Sequence, residues 1–145
     1  MPPIHDITTD TENPPSFISI LQLRKGAQNP AGYGGPNIAA QQRAAYPDIT
    51  SEILALPPDQ AFERAYRTAR RMGWQIIDRN MEEGRIEATD TTSWFGFKDD
   101  IVIRVTPVDN GSRVDIRSVS RVGRSDVGTN ARRIRKYLKL LTEKE

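Results

Sequence analysis

The sequence has no cysteine and only one histidine, His5. The first absence excludes disulfides and leaves the redox compartment open. The two together exclude an ordinary zinc centre, which draws its ligands from Cys and His. No metal and no cofactor is expected, although Asp99, Asp100, Asp115 and Asp126 offer oxygen atoms of the kind calcium or magnesium accepts. The glycine patterns of a P-loop or of a dinucleotide fold are missing. No apolar run approaches the roughly 18 residues that a membrane helix needs. Met1-Pro2-Pro3 carries neither the basic start nor the apolar segment of a signal peptide. Aromatic residues make up 7% of the chain, and Tyr137 alone lies among the C-terminal basic residues. That spacing argues against a stacking platform, so a nucleic-acid partner is not expected.

What is present is a chain of 145 residues, the length of one ordinary domain. Net charge is only +2, but it is uneven. Residues 1–50 carry 3 basic and 4 acidic side chains, residues 51–111 carry 8 and 11, and residues 112–145 carry 10 and 4. A basic end either meets an anionic partner or pairs with the acidic middle.

Residues 1–50 are dense in Pro, Gly and Asn, with Phe17-Ile18-Ser19-Ile20-Leu21 as an apolar island. A free tail should lack such residues. The expectation is an extended N-terminal arm over 1–50, packed on an α+β domain over 51–145. Pro57-Pro58 opens a helix that carries Ala61, Phe62, Ala65, Ala69 and Met72 on one side and ends at Gly73. Four strands follow, at Trp74–Asn80, Arg85–Thr91, Ile101–Pro107 and Ser112–Val122. A last helix runs from about Asp126 to Thr142, with Ser125-Asp126 as its N-cap signal. The order α-β-β-β-β-α predicts a two-layer fold, with a four-stranded antiparallel meander and both helices on one face. Ile103, Val105, Ile116, Ile134 and Leu138 are the expected core.

The stretch Ser112–Val122 holds the most chemistry. Arg113, Asp115, Arg117 and Arg121 alternate with Val114, Ile116, Ser118 and Ser120, the period of a strand with one polar face. Asp109-Asn110-Gly111 reads as a hairpin, with Asn110-Gly111 as a type I′ turn. That turn would set Thr106 opposite Asp115, Arg104 opposite Arg117 and Asp100 opposite Arg121. Like charges directly opposite are destabilising. Glu87, Asp115 or a bound anion must then neutralise Arg104 and Arg117. Two readings stand: an internal Arg/Asp/Glu network, or an anion site, for which arginine is suited. The turn at Gly123–Asp126 is a weaker anion candidate, because Ser125 or Asp126 can cap the helix itself. Trp94-Phe95-Gly96-Phe97 is either a hydrophobic lip for a ligand or a piece of the core.

The pieces Ile4–Asp10, Ala45–Ile49, Asp99–Arg104 and Ser112–Arg133 together resemble a bacterial family, the domain of unknown function numbered 1499. The likeness keeps these pieces in order over nearly the whole chain. It implies no established activity. Members of that family often carry a membrane or lipoprotein-like segment ahead of the Ile-His-Asp motif, which here follows Met1-Pro2-Pro3 directly. Such a segment would imply the cell envelope, and its absence a cytoplasmic variant.

The expected function is that of a binding or interaction domain for an anionic small molecule or protein partner. Its candidate ligand residues are Arg104, Arg117, Arg121, Asp100, Asp115, Glu87 and Trp94. The alternative is an enzyme on an anionic substrate, with Asp99, Asp100 or Asp115 as acid/base and the arginines as charge stabilisers. Ser118 and Ser120 are poor nucleophile candidates, since they lie on the buried face with no histidine base near them in sequence.

Overall fold

The structure is a computed structural model. It describes residues 4–24, 27, 31–91, 96–122 and 128–143. In chain order the elements are β1 (Asp6–Thr8), a 3-10 helix (Ser19–Arg24), α1 (Pro36–Ala45), β2 (Glu52–Leu54) and α2 (Pro58–Arg71). Then come β3 (Gln75–Asn80), β4 (Arg85–Thr91), β5 (Lys98–Val108), β6 (Gly111–Ser120) and α3 (Thr129–Thr142).

The four long strands form the antiparallel meander β3-β4-β5-β6. The sheet has six strands, however, not four. β1 and β2 lie end to end along the free edge of β6, with Asp6 opposite Val119 and Glu52 opposite Val114. Residues 1–50 therefore contribute a strand and two helices as well as extended chain. Both added strands are three residues long. That is too short for alternation to be read from sequence. Gln42 of α1 closes the outer edge of β1: it accepts the Thr8 N–H (3.0 Å) and donates to the Thr8 carbonyl (2.6 Å). An otherwise bare strand edge is thus satisfied by one side chain.

The hairpin differs from the expected one. Val108 pairs with Gly111, so Asp109-Asn110 forms the turn. Among the described non-glycine residues Asn110 alone has positive φ, at 62°. The turn is therefore not type I′, which needs positive φ at both central residues. Gly111 serves another purpose: a Cβ there would lie 2.3 Å from the Leu54 carbonyl oxygen of β2. Moving the turn by one residue moves the register by two. Arg104 faces Asp115, Ile103 faces Ile116 and Val105 faces Val114. Because the shift is even, every side chain keeps its face.

On one face, Ile86, Ile101, Ile103, Val114 and Ile116 pack against α2 and α3. α2 offers Ala61, Ala65 and Ala69 at four-residue spacing, beside Phe62. α3 offers Ala131, Ile134, Tyr137 and Leu141. Tyr137 stacks on Trp74 with centroids 5.4 Å apart, and its hydroxyl donates to the Ala65 carbonyl (2.8 Å). A buried phenol is thereby satisfied while its ring fills the core. Of the expected core, Leu138 is only partly buried, at the cluster's edge. Ile116→Ala should lower unfolding free energy by about 2–5 kcal/mol, because the site is enclosed on all sides. Urea denaturation checks it; an unchanged midpoint would contradict this packing.

Candidate functional site

The opposite face of the sheet carries the charged set, and Asp10, Pro15, Phe17, the 3-10 helix and Ala31 supply its partners from outside the strands. Each carboxylate there has its own partners. Glu87 of β4 is fully buried. It accepts the backbone N–H groups of Ile18, Ser19 and Ile20 at 2.9, 2.9 and 3.1 Å, and the Nε of Arg85 at 3.0 Å. It therefore caps the first turn of the 3-10 helix, whose amides have no partner inside the helix. Asp78, at the strand bulge of β3, takes the Ser19 hydroxyl and Arg85. Those two contacts, in that order, hold its carboxyl below the usual range.

Asp100 receives Arg24, both Nε and Nη2 of Arg121, and the Thr89 hydroxyl. Asp115 receives Thr9, Ser51, Arg104 and Arg113. Arg117 closes a fork on Asp6, with Nε at 2.9 Å and Nη2 at 2.7 Å. It also donates to the carbonyls of Pro15 and Ala31 and lies near the rings of Phe17 and Tyr33. Arg104 reaches Asp10 (3.0 Å), the Asn13 carbonyl (2.9 Å) and Asp115 (3.3 Å).

The structure thus brings Arg104 and Asp115 together, and likewise Arg121 and Asp100. Arg104 and Arg117 do not stand opposite each other, and Glu87 serves Arg85 and the 3-10 helix rather than either of them. Trp94, with Phe95 and the turn Gly123–Asp126, lies outside the described residues. Phe97 is half exposed.

A second polar cluster occupies the helix side. Arg133 donates to Asp90 (3.0 Å), Asn130 (2.7 Å) and Ser118 (3.2 Å), and pairs with Asp99 (2.8 Å). Burial pushes the Asp99 carboxyl up, against the pull of Arg133. Ser118 and Ser120 are both bonded to Asn130. Among the described residues, the cluster's charged and polar side chains pair with one another, and Asp90 reaches the surface.

The charged face opens at one corner. A cavity of about 840 Å³ is bounded by Asp10, Glu12, Tyr33, Arg43, Ile53 and Arg113, among others. Pro36, Ala39 and Arg43 reach it from one stripe of α1, and no side chain caps that helix's first turn. Arg113 pairs with Asp10 (3.0 Å) and Asp115 (2.9 Å). Arg43 donates to the Thr11 hydroxyl at 3.0 Å. Burial, and then Asp6, push the Tyr33 phenol up to about 12, with Arg117 and Arg43 opposing.

The profile of a family described as "Protein of unknown function (DUF1499)" matches residues 6–141. The chain belongs to this family. No curated protein matches the chain significantly. Among solved structures, "Crystal structure of Ara h 8.0201" is similar at 10% identity and a TM-score of 0.29. The match covers 64% of this chain and 95% of that one. Among the described residues no helix is long and apolar enough to cross a membrane, and no group of acidic or histidine side chains could hold a metal ion.

Sequence reasoning missed Asp6 and Asp10, which supply the partners of Arg117, Arg104 and Arg113, and it missed Arg24 and Arg43. The signal for the first two was present in the Ile4–Asp10 motif, an acidic pair within a predicted arm. Asp10 also organises its own turn, accepting the N–H groups of Glu12 and Asn13. Burial opposes its charge, but the Asn13 amide, Arg113, the Glu12 amide and Arg104 outweigh it and hold the carboxyl below its ordinary range. A carboxyl with a lowered folded pKa stabilises fully above its unfolded pKa, and that stability is lost as pH falls through the folded value. Asp10→Asn should therefore destabilise at neutral pH and flatten the loss on acidification. Urea unfolding of both proteins from neutral pH to below the carboxylate range measures it; parallel curves would refute the role. Glu87→Ala should cost about 3–5 kcal/mol, as removal of one member of a buried charged pair does. It should also expose the segment around the 3-10 helix to limited proteolysis, and an unaltered digestion pattern would count against Glu87 as its clamp.

Proposed function

We propose that the chain is a non-catalytic binding domain that takes an anionic ligand at the Arg113 corner of its Arg/Asp-rich sheet face. The observation that carries this is the gradient of access along that face. The Arg117 side chain is 3% exposed and the Arg113 side chain 38%. A ligand would have to displace Asp6 to reach Arg117, whereas Arg113 and Arg43 already border open space. Guanidinium groups recognise carboxylate or phosphate through two parallel hydrogen bonds, which suits either a small organic anion or an acidic side chain of a partner. Arg43 has a hydroxyl but no carboxylate as partner among the described residues, so its charge is available.

Thermal unfolding in sulfate or phosphate, against chloride at matched ionic strength, tests this reading. The wild type should gain stability specifically from the oxyanion, and Arg43→Gln should lose most of that gain while unfolding normally without it. Arg117→Ala should instead destabilise the protein with or without the anion, since it leaves Asp6 buried and unpaired. No oxyanion-specific gain in the wild type would overturn the proposal.

A further inference from the structure

Resting on the reading that the Arg113 corner binds a ligand, we infer that this ligand is a small zwitterion, carrying one oxyanion and one protonated amine. Four of the residues lining the cavity are charged: Asp10, Glu12, Arg43 and Arg113. Two of them satisfy each other: Arg113 and Asp10 pair at 3.0 Å. The other two do not. Among the described residues Arg43 has the Thr11 hydroxyl as its one hydrogen-bond partner. Glu12 engages through its backbone N–H with Asp10 (3.1 Å), and among the described residues its exposed carboxylate has no cationic partner. The lining of one cavity thus includes one cationic and one anionic residue, neither of which has a charged partner among the described residues.

A simple anion would satisfy Arg43 but bring its charge towards Glu12. A simple cation would do the reverse. A ligand with both groups satisfies both walls, which is the condition of electrostatic complementarity. The cavity, at about 840 Å³, admits such a molecule with room to spare. Thr50 and Ser51 add hydroxyls, Tyr33 an aromatic ring, and Ile53, 59% exposed, an apolar contact for the part between the charges. An amine and an oxyanion a few bonds apart occur both in a free amino acid and in a phosphoethanolamine headgroup.

Isothermal titration calorimetry on the full chain, with glycine, O-phosphoethanolamine, inorganic phosphate and ethanolamine, tests the inference. At least one zwitterion should bind more tightly than both phosphate and ethanolamine. A preference for glycine identifies an amino-acid ligand; a preference for phosphoethanolamine identifies a headgroup. Glu12→Gln should weaken the zwitterion by about two- to fivefold, the range of an exposed ion pair, without weakening phosphate. Arg43→Gln should weaken phosphate and zwitterion alike. Both side chains are at the surface, so neither variant should compromise folding. If phosphate binds as tightly as phosphoethanolamine and better than glycine, and Glu12→Gln changes none of them, the zwitterion is refuted while the anion site stands. If none of the four probes binds, both readings fall.

Discussion

The bidentate contact between Arg117 and Asp6 is the constraint from which the outer half of this molecule follows. Arginine keeps its proton under all ordinary conditions. At 3% exposure, Arg117 must find its partners within the protein. Asp6 supplies two acceptors, and the carbonyls of Pro15 and Ala31 supply two more. These four acceptors come from residues 6, 15 and 31, so one guanidinium fixes three well-separated points of the N-terminal chain. The rings of Phe17 and Tyr33, with centroids 5.1 and 5.7 Å from the guanidinium carbon, replace part of the water it has lost. The segment is ordered by what the sheet needs rather than by its own propensities.

Glu87 works in the complementary sense. It is a buried anion whose partners are mainly backbone amides, so its demand is met by a turn of chain rather than by a particular side chain. The 3-10 helix is short and carries Leu21 and Leu23 exposed at its surface, with Ile18 exposed just before it, so burial alone gives it little reason to stay. Its amide contacts to Glu87 and the burial of Ile20 hold it. Where these demands end, the covering chain ends too. Asp10 is the last carboxylate it lends to the sheet face, and beyond Asp10 the Arg113 guanidinium emerges beside α1. The cavity is thus a consequence of the neutralisation pattern. It opens just beyond Asp10, where the next acid of the chain, Glu12, pairs with none of the sheet arginines among the described residues.

The meander, both helices and the polar face were legible because long strands and amphipathic helices write their period into the sequence. Ile103, Val105 and Ile116 alternate cleanly, and Ala61, Ala65 and Ala69 fall on one helical stripe. β1, β2, α1 and the 3-10 helix were not legible, because none carries enough residues or contrast to show a period. α1 reads as a run of Ala, Gln and Asn in which only Ala39 and Gln42 are buried. Gln42 acts through the backbone of β1, a role that leaves no pattern. The charged residues were legible as a set, but their partners were not. Arg104 and Arg117 were visible as arginines needing neutralisation; that Asp10 and Asp6 would neutralise them depends on a chain path without periodicity.

The hairpin register shows why such charges are retained where apolar residues could pack. A slip of two residues between β5 and β6 leaves every apolar side chain on its face, so the hydrophobic pattern scarcely distinguishes the two alignments. The charges do distinguish them. In the observed register Arg104 faces Asp115, and in the slipped one it would face Arg117. Cross-strand pairs of opposite sign stabilise, and like pairs destabilise, by up to about 1 kcal/mol each when exposed. Burial under the N-terminal segment raises that contrast, because the effective dielectric falls. A buried ion pair is weak evidence for stability in itself. Here its argument is specificity: it selects one of two registers that packing would accept, and the selected one brings Asp115 to Arg104, beside Arg113 of the same strand, which lines the cavity.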